Sequence, residues 1–144
     1  KILGILARNA RTPVVDIAVK TGISGNAVKY RIKDMKAKEV IQAFTVKINT
    51  ALLGYQHFKV FLFLQNLTQK EYTRLLTYLK LKQEVIYITT AIGSAELEFE
   101  LLSKSSTEFH EFVKSLWREF PAILKEYKFF EIHRENQINY LPMY

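Results

Sequence analysis

The sequence predicts an α+β chain in two parts: a small, basic, mainly helical unit over residues 1–50 and a mixed unit over residues 51–144 with the order βαββαβ. Three observations predict it. Apolar residues recur at helical spacing in the first third and alternate at strand spacing in several stretches of the rest. Thr68-x-x-Glu71 and Ser105-x-x-Glu108 each precede an apolar helical stripe, as capping boxes do. The whole net charge of +7 falls in residues 1–50, which hold ten Lys/Arg against three Asp/Glu, whereas residues 51–144 hold eleven of each.

Composition bounds the function. A length of 144 residues fits one ordinary domain or two small ones and leaves no room for a large multidomain enzyme. With 49% hydrophobic residues, 24% charged, five glycines and three prolines, the chain has a packed core and is neither disordered nor collagen-like. There is no cysteine, which excludes disulfides, Cys-zinc sites, iron–sulfur clusters and thiol catalysis. No apolar run approaches the roughly 18 residues of a membrane span, and Lys1 to Arg11 lacks a signal-peptide layout, so the expectation is a soluble, cytoplasmic protein. The chain opens on Lys1 inside a helical pattern and without a methionine, so native residues are expected upstream.

In the basic part, Ile2, Leu3, Leu6 and Ala7 predict a first helix that ends near Asn9 to Thr12. Pro13 suits the first turn of a second, Pro13 to Lys20, in which Val14, Ile17 and Ala18 share a face. Gly22 can close that helix in a left-handed conformation, and Ser24 is a good N-cap for a third helix reaching about Lys38. Val28, Ile32 and Met35 mark its buried side, while Asn26, Lys29, Lys33 and Lys36 fall on the opposite flank. This is a helix-turn-helix, with small Ala18 letting the two helices approach. Val40 to Ile48 then alternates, predicting a short extended wing or linker strand.

The charge has a direct implication. A basic unit beside a neutral one is the electrostatic footprint of a nucleic-acid-binding module. Only Tyr30 and Phe44 of nineteen aromatics lie in residues 1–50, too few for a membrane anchor or a single-strand stacking platform, which leaves double-stranded DNA as the partner. Asn26, Lys29 and Tyr30, in the N-terminal half of the third helix, are candidates for base edges. Lys33, Lys36 and Arg31 are candidates for phosphates, and Ser24 stands at the helix start. An ordinary solvated helix face is the bland reading of the lysine stripe, and its place on the second helix of a helix-turn-helix argues against it.

In the second part, Phe58 to Leu67 is strand-like, and Thr68 opens a helix to Lys82 with Tyr72, Leu75, Leu76 and Leu79 as its stripe. Val85 to Ile92 is a second strand, and Gly93-Ser94 supplies a tight hairpin turn into a third, Ala95 to Leu102. Ser105 opens a helix carrying Phe109, Phe112, Val113, Leu116 and Phe120, Pro121 stops it, and a last strand runs from about Leu124 to Glu135. The order is ferredoxin-like, an antiparallel sheet with both helices on one face. Phe58, Val60, Leu62 and Leu64 point to one side of the first strand, Phe61 and Phe63 to the other. Both sides are apolar, so the helix-free face is expected to be a homodimer interface centred on Phe61 and Phe63. A wing or tail covering that face within one chain is the alternative.

These residues resemble the Lrp/AsnC (feast/famine) transcription regulators over essentially the whole chain. The resemblance is carried by Asn9-Ala10-Arg11, Asp16-Ile17-Ala18, Gly22-Ile23-Ser24, Val28-x-x-Arg31-Ile32, Val40-Ile41, Leu53-Gly54-Tyr55 and Gly93. It implies a winged helix-turn-helix joined, near residues 48–56, to a ligand-sensing domain that dimerises through its sheet and often assembles dimers into tetramers or octamers. It also implies a small effector, typically an amino acid, near the hairpin between the second and third strands, which puts Gly93, Ser94 and Glu96 forward. Many relatives carry Asp a few residues after that glycine, where this chain reads Gly93-Ser94-Ala95-Glu96. Glu96, Glu98 and Glu100 alternate on one face, either solvated or salt-bridged or suited to an ammonium group.

No metal or other cofactor is expected, because His57, His110 and His133 are scattered without ligand spacing. No phosphate loop, nucleophile elbow or Cys/His pair appears, so the chain is not expected to be an enzyme. Two alternatives stand beside a site-specific regulator. One is an architectural DNA-binding protein with little sequence specificity; the other is a haem-precursor decarboxylase on the same architecture, for which His57, His133 and Arg134 would matter.

Overall fold

The computed structural model describes residues 1–93, 95–136, 138, 140 and 141. Its contacts divide the chain into two units, Lys1–Ile48 with the tail from Asn136, and Asn49–Glu135.

The first unit is built on three helices, α1 (Ile2–Arg8), α2 (Val14–Thr21) and α3 (Gly25–Ala37). Each boundary has a local cause. Asn9 Oδ1 accepts from the Arg11 N–H at 3.0 Å and turns the chain after α1. Gly22 ends α2 at φ +73°, where a Cβ would be strained, and its N–H bonds the Ala18 carbonyl at 2.9 Å. Ser24 caps α3 by accepting from the Ala27 N–H at 3.2 Å. Ile2, Leu6, Ile17 and Val28 form the buried centre, with Ile32, Met35 and Ile41 packed around it.

The segment after α3 forms no strand. Residues 42–49 follow α3 as exposed chain without a β-ladder. The alternating Phe44, Val46 and Ile48 are all exposed. Its start is docked by the Ile41 N–H on the Met35 carbonyl and by Lys36 over the Phe44 ring at 6.0 Å.

The second unit opens with a 3-10 turn at Thr50–Leu53 and continues as β1 (Gln56–Leu64), α4 (Gln69–Lys80), β2 (Val85–Thr90), β3 (Leu97–Ser103), α5 (Ser106–Glu119) and β4 (Leu124–Glu131). The sheet is antiparallel in the order β2-β3-β1-β4, the ferredoxin-like arrangement. Both capping boxes act as predicted at the first step, Thr68 Oγ1 accepting from Glu71 N–H and Ser105 Oγ from Glu108 N–H, each at 3.2 Å. The Glu108 carboxylate reaches back to the Lys104 N–H at 2.8 Å, one residue before the cap.

Phe58, Val60, Leu62 and Leu64 face the helices with Leu97, Phe99 and Leu101 of β3, Leu75 and Leu79 of α4, and Phe109, Val113 and Leu116 of α5. Phe58 stacks on Phe109 with ring centroids 4.1 Å apart. Burying such a side chain contributes about 1.5–3 kcal/mol, so this layer dominates the stability of the unit.

Three strand ends were predicted too long. β1 stops at Leu64 because Gln65 bonds the Ile123 carbonyl and Asn66 turns at φ +50°. The β2–β3 connection is not a two-residue hairpin: Thr90 pairs with Leu97, leaving six residues, 91–96, in the loop. β4 ends at Glu131, and the tail from Asn136, expected with the second part, groups with the first.

Candidate functional site

The α3 helix sorts its polar side chains by angle. Val28, Ile32 and Met35 hold the helix to the core, so residues on the other side project outward. Lys29, Lys33 and Lys36 line an open groove of about 350 Å³ together with Ile32 and Val14, the first residue of α2. Asn26 and Tyr30 lie on the exposed front of the helix, Tyr30 with 71% of its surface accessible. Arg31 does not join the lysines. It sits roughly 160° around the helix from Lys29 and Lys33 and lines a separate groove with Lys1, Thr21 and Asp34. Ser24 is exposed, but its hydroxyl oxygen is engaged as the α3 cap.

A helix of about 10–12 Å diameter with cations on both flanks matches a major groove about 12 Å wide between two phosphate walls. The α2 N-terminus beside the lysine groove adds partial positive charge on the same side. None of these lysines is tied into an ion pair with Asp34, which instead takes Lys38 at 2.8 Å.

The effector residues fare unevenly. Gly93 has φ +152°, a backbone state that side-chain-bearing residues rarely adopt, and no atom lies near the position of an added Cβ. Ser94 lies outside the described residues. Glu96 already has a partner, its Oε2 accepting from the Leu64 N–H at 3.0 Å. Ala95, beside it, is buried.

The helix-free face carries Phe61 and Phe63 as predicted, both half-buried. It is not uniformly apolar. The expectation came from β1 alone, and the neighbouring strands bring Glu98, Glu100, Glu126 and Lys128 onto the same side. Lys59 lies over the Phe61 ring at 5.5 Å and Lys128 over Phe63 at 5.1 Å, while Phe130 meets Phe61 edge-on at 5.4 Å. His57 pairs with Glu100 at 2.9 Å, and Lys59 with Glu98 at 3.0 Å. Sequence reasoning missed both cross-strand pairs. Among the described residues no three His, Asp or Glu side chains cluster as metal ligands, and no helix is long and apolar enough to cross a membrane.

Comparison with known proteins bears on both units. Residues 1–42 match a family model described as winged helix-turn-helix DNA-binding. The HTH-type transcriptional regulator LrpA of Pyrococcus horikoshii is 48% identical over 54 residues, 38% of each chain. The regulatory protein AsnC of Haemophilus influenzae is 26% identical over 110 residues, 76% of this chain and 73% of that one. Residues 1–42 thus carry a winged helix-turn-helix DNA-binding domain, and the relatives the chain matches are regulators of the LrpA and AsnC type. The match to LrpA thus spans under half of that relative's length, while the AsnC match runs on into the sheet unit. A solved transcriptional regulator of Neisseria meningitidis, in complex with L-methionine, shares the fold with a TM-score of 0.82 at 11% identity, covering 96% of this chain and 90% of that one.

Proposed function

We propose that this chain is a transcriptional regulator of the Lrp/AsnC type that binds double-stranded DNA through α3. The observation that carries this reading is the disposition of α3: three lysines on one flank, Arg31 on the other, and Asn26 and Tyr30 exposed between them. The flanks hold the two phosphate walls, and the front reads base edges. Phosphate contacts supply affinity that falls with salt, whereas base contacts supply discrimination. Titrating labelled duplex DNA at several salt concentrations tests it. Tight, salt-dependent binding with footprints at discrete sites supports a site-specific regulator. Equal affinity for every sequence would favour the architectural alternative.

The working unit is a homodimer closed over the helix-free face. Phe61, Phe63 and Phe130 supply apolar area there, while the acidic residues of β3 lie beside the lysines of β1 and β4. A two-fold that sets β3 over the partner's β1 brings opposite charges together. Two recognition helices related by such an axis read half-sites about one helical turn apart, so the operator is a pseudo-palindrome.

The effector is an amino acid held near the loop at residues 91–96. Its support is the L-methionine complex of the Neisseria regulator of the same fold, together with the positive φ of Gly93, which favours glycine. Backbone N–H groups in such a loop suit a carboxylate. Calorimetric titration with the twenty amino acids tests this part separately from DNA binding.

A further inference from the structure

The helix-free face holds one compact charge cluster. His57 Nε2 lies 2.9 Å from Glu100 Oε2, and Lys59 Nζ lies 3.0 Å from Glu98 Oε2 and 3.7 Å from Glu100 Oε1. These side chains are already largely shielded, with 14% of His57, 31% of Lys59, 19% of Glu98 and 20% of Glu100 accessible. Lys59 serves two carboxylates. With a neutral imidazole the four groups therefore carry one excess negative charge, and with a protonated imidazole they carry none.

The other polar groups of this face do not alter that balance. Tyr87 of β2 pairs with Glu100 in the ladder. Glu126 and Lys128 of β4 form their own neutral pair at 3.7 Å. Glu96, at the far end of β3, is held by the Leu64 N–H, while Glu131, which pairs with Phe58, lies on the helix side and bonds Gln56 at 3.3 Å. His57 also accepts the Ile132 N–H at its backbone carbonyl, so its place at the strand end is fixed.

Removing an unbalanced charge from water is costly, and a neutral cluster is far cheaper to cover. Imidazole is the side chain whose charge ordinarily changes between pH 5 and 8. We propose that closure of this face against a second copy of the chain is proton-linked, each protomer entering the dimer with His57 protonated against Glu100. The inference rests on the sheet-face dimer proposed above. Its sign follows from linkage: association takes up protons, so the dimer is tightest at low pH and loosens as pH rises.

Sedimentation equilibrium of the full chain across about pH 6 to 8.5 tests it, with circular dichroism at each pH to verify folding. The dimer dissociation constant is expected to rise about tenfold or more over that range, with at most two protons taken up per dimer. In His57→Gln it is expected to be flat and close to the high-pH value of the native chain. In Glu100→Gln, which neutralises the cluster without the proton, the dimer is expected to stay tight at high pH. A native dimer with a pH-independent constant overturns the linkage and leaves the dimer standing. A pH dependence that persists in His57→Gln also overturns it, moving the effect to His110 or His133. A folded monomer at every pH overturns both the linkage and the dimer beneath it.

Discussion

Glu96 Oε2 accepts the Leu64 N–H at 3.0 Å, tying the loop before β3 to the end of β1, where the β1–β4 register shifts. The carboxylate thus has a structural task before any ligand arrives. Glu96→Ala leaves that N–H without its partner and is expected to cost about 1 kcal/mol, read by chemical denaturation. Glu96→Gln keeps an acceptor and is expected to cost less. Calorimetry on the Gln variant then separates support of the loop from ligand recognition: unchanged amino-acid binding means that Glu96 only supports.

Phe61→Lys and Phe63→Lys are each expected to abolish the dimer while leaving a folded unit, because both rings face away from the helix-side core. The added cation would have to be covered by the partner, and the acids beside it, Glu98 and Glu126, are already paired with Lys59 and Lys128. Light scattering checks the mass. A dimer that survives both changes would place the interface elsewhere.

Phe109→Ala is expected to act differently, through stability. Its ring is fully buried and stacks on Phe58 at 4.1 Å, so truncation leaves a cavity between α5 and the sheet. A loss of about 3–5 kcal/mol is expected in urea unfolding, with no specific effect on the charge-dependent part of DNA binding.

Asn26→Ala and Lys36→Ala are expected to part company on DNA. Asn26, on the exposed front of α3, is expected to lose about 1–3 kcal/mol of discrimination at one operator position. Lys36, in the flank groove, is expected to weaken binding to all sequences alike. Competition titrations against operator variants make the comparison.

Much of this architecture was legible because it is set by short-range rules. Gly22, Ser24, Thr68 and Ser105 mark helix ends through bonds spanning three or four residues, and the helix and strand periods assign Phe58 and Phe61 to opposite faces. The same angular rule separates Arg31 from the lysines, although charge alone had grouped them as phosphate ligands. The register between strands was not legible. His57 and Glu100 are 43 residues apart, and only the pairing of β1 with β3 makes them neighbours. The loop at residues 91–96 was misread because a glycine between two apolar runs signals a turn without giving its length. Val46 and Ile48 alternate as strand residues do, yet residues 42–49 are exposed and pair with no strand.

The central claim is that α3 carries DNA binding, and the double variant Lys29→Ala/Lys33→Ala measures it most directly. Both lysines line one groove, neither is buried, and alanine preserves the helix, so the fold is expected to survive. Duplex affinity is followed by fluorescence anisotropy across a series of salt concentrations for the native and variant chains. The slope of log affinity against log salt is expected to become shallower by about two units per recognition helix, and so by about four for the dimer, with affinity falling for every sequence tested. A folded double variant with the native slope and the native affinity would contradict the assignment of α3 as the DNA-binding helix.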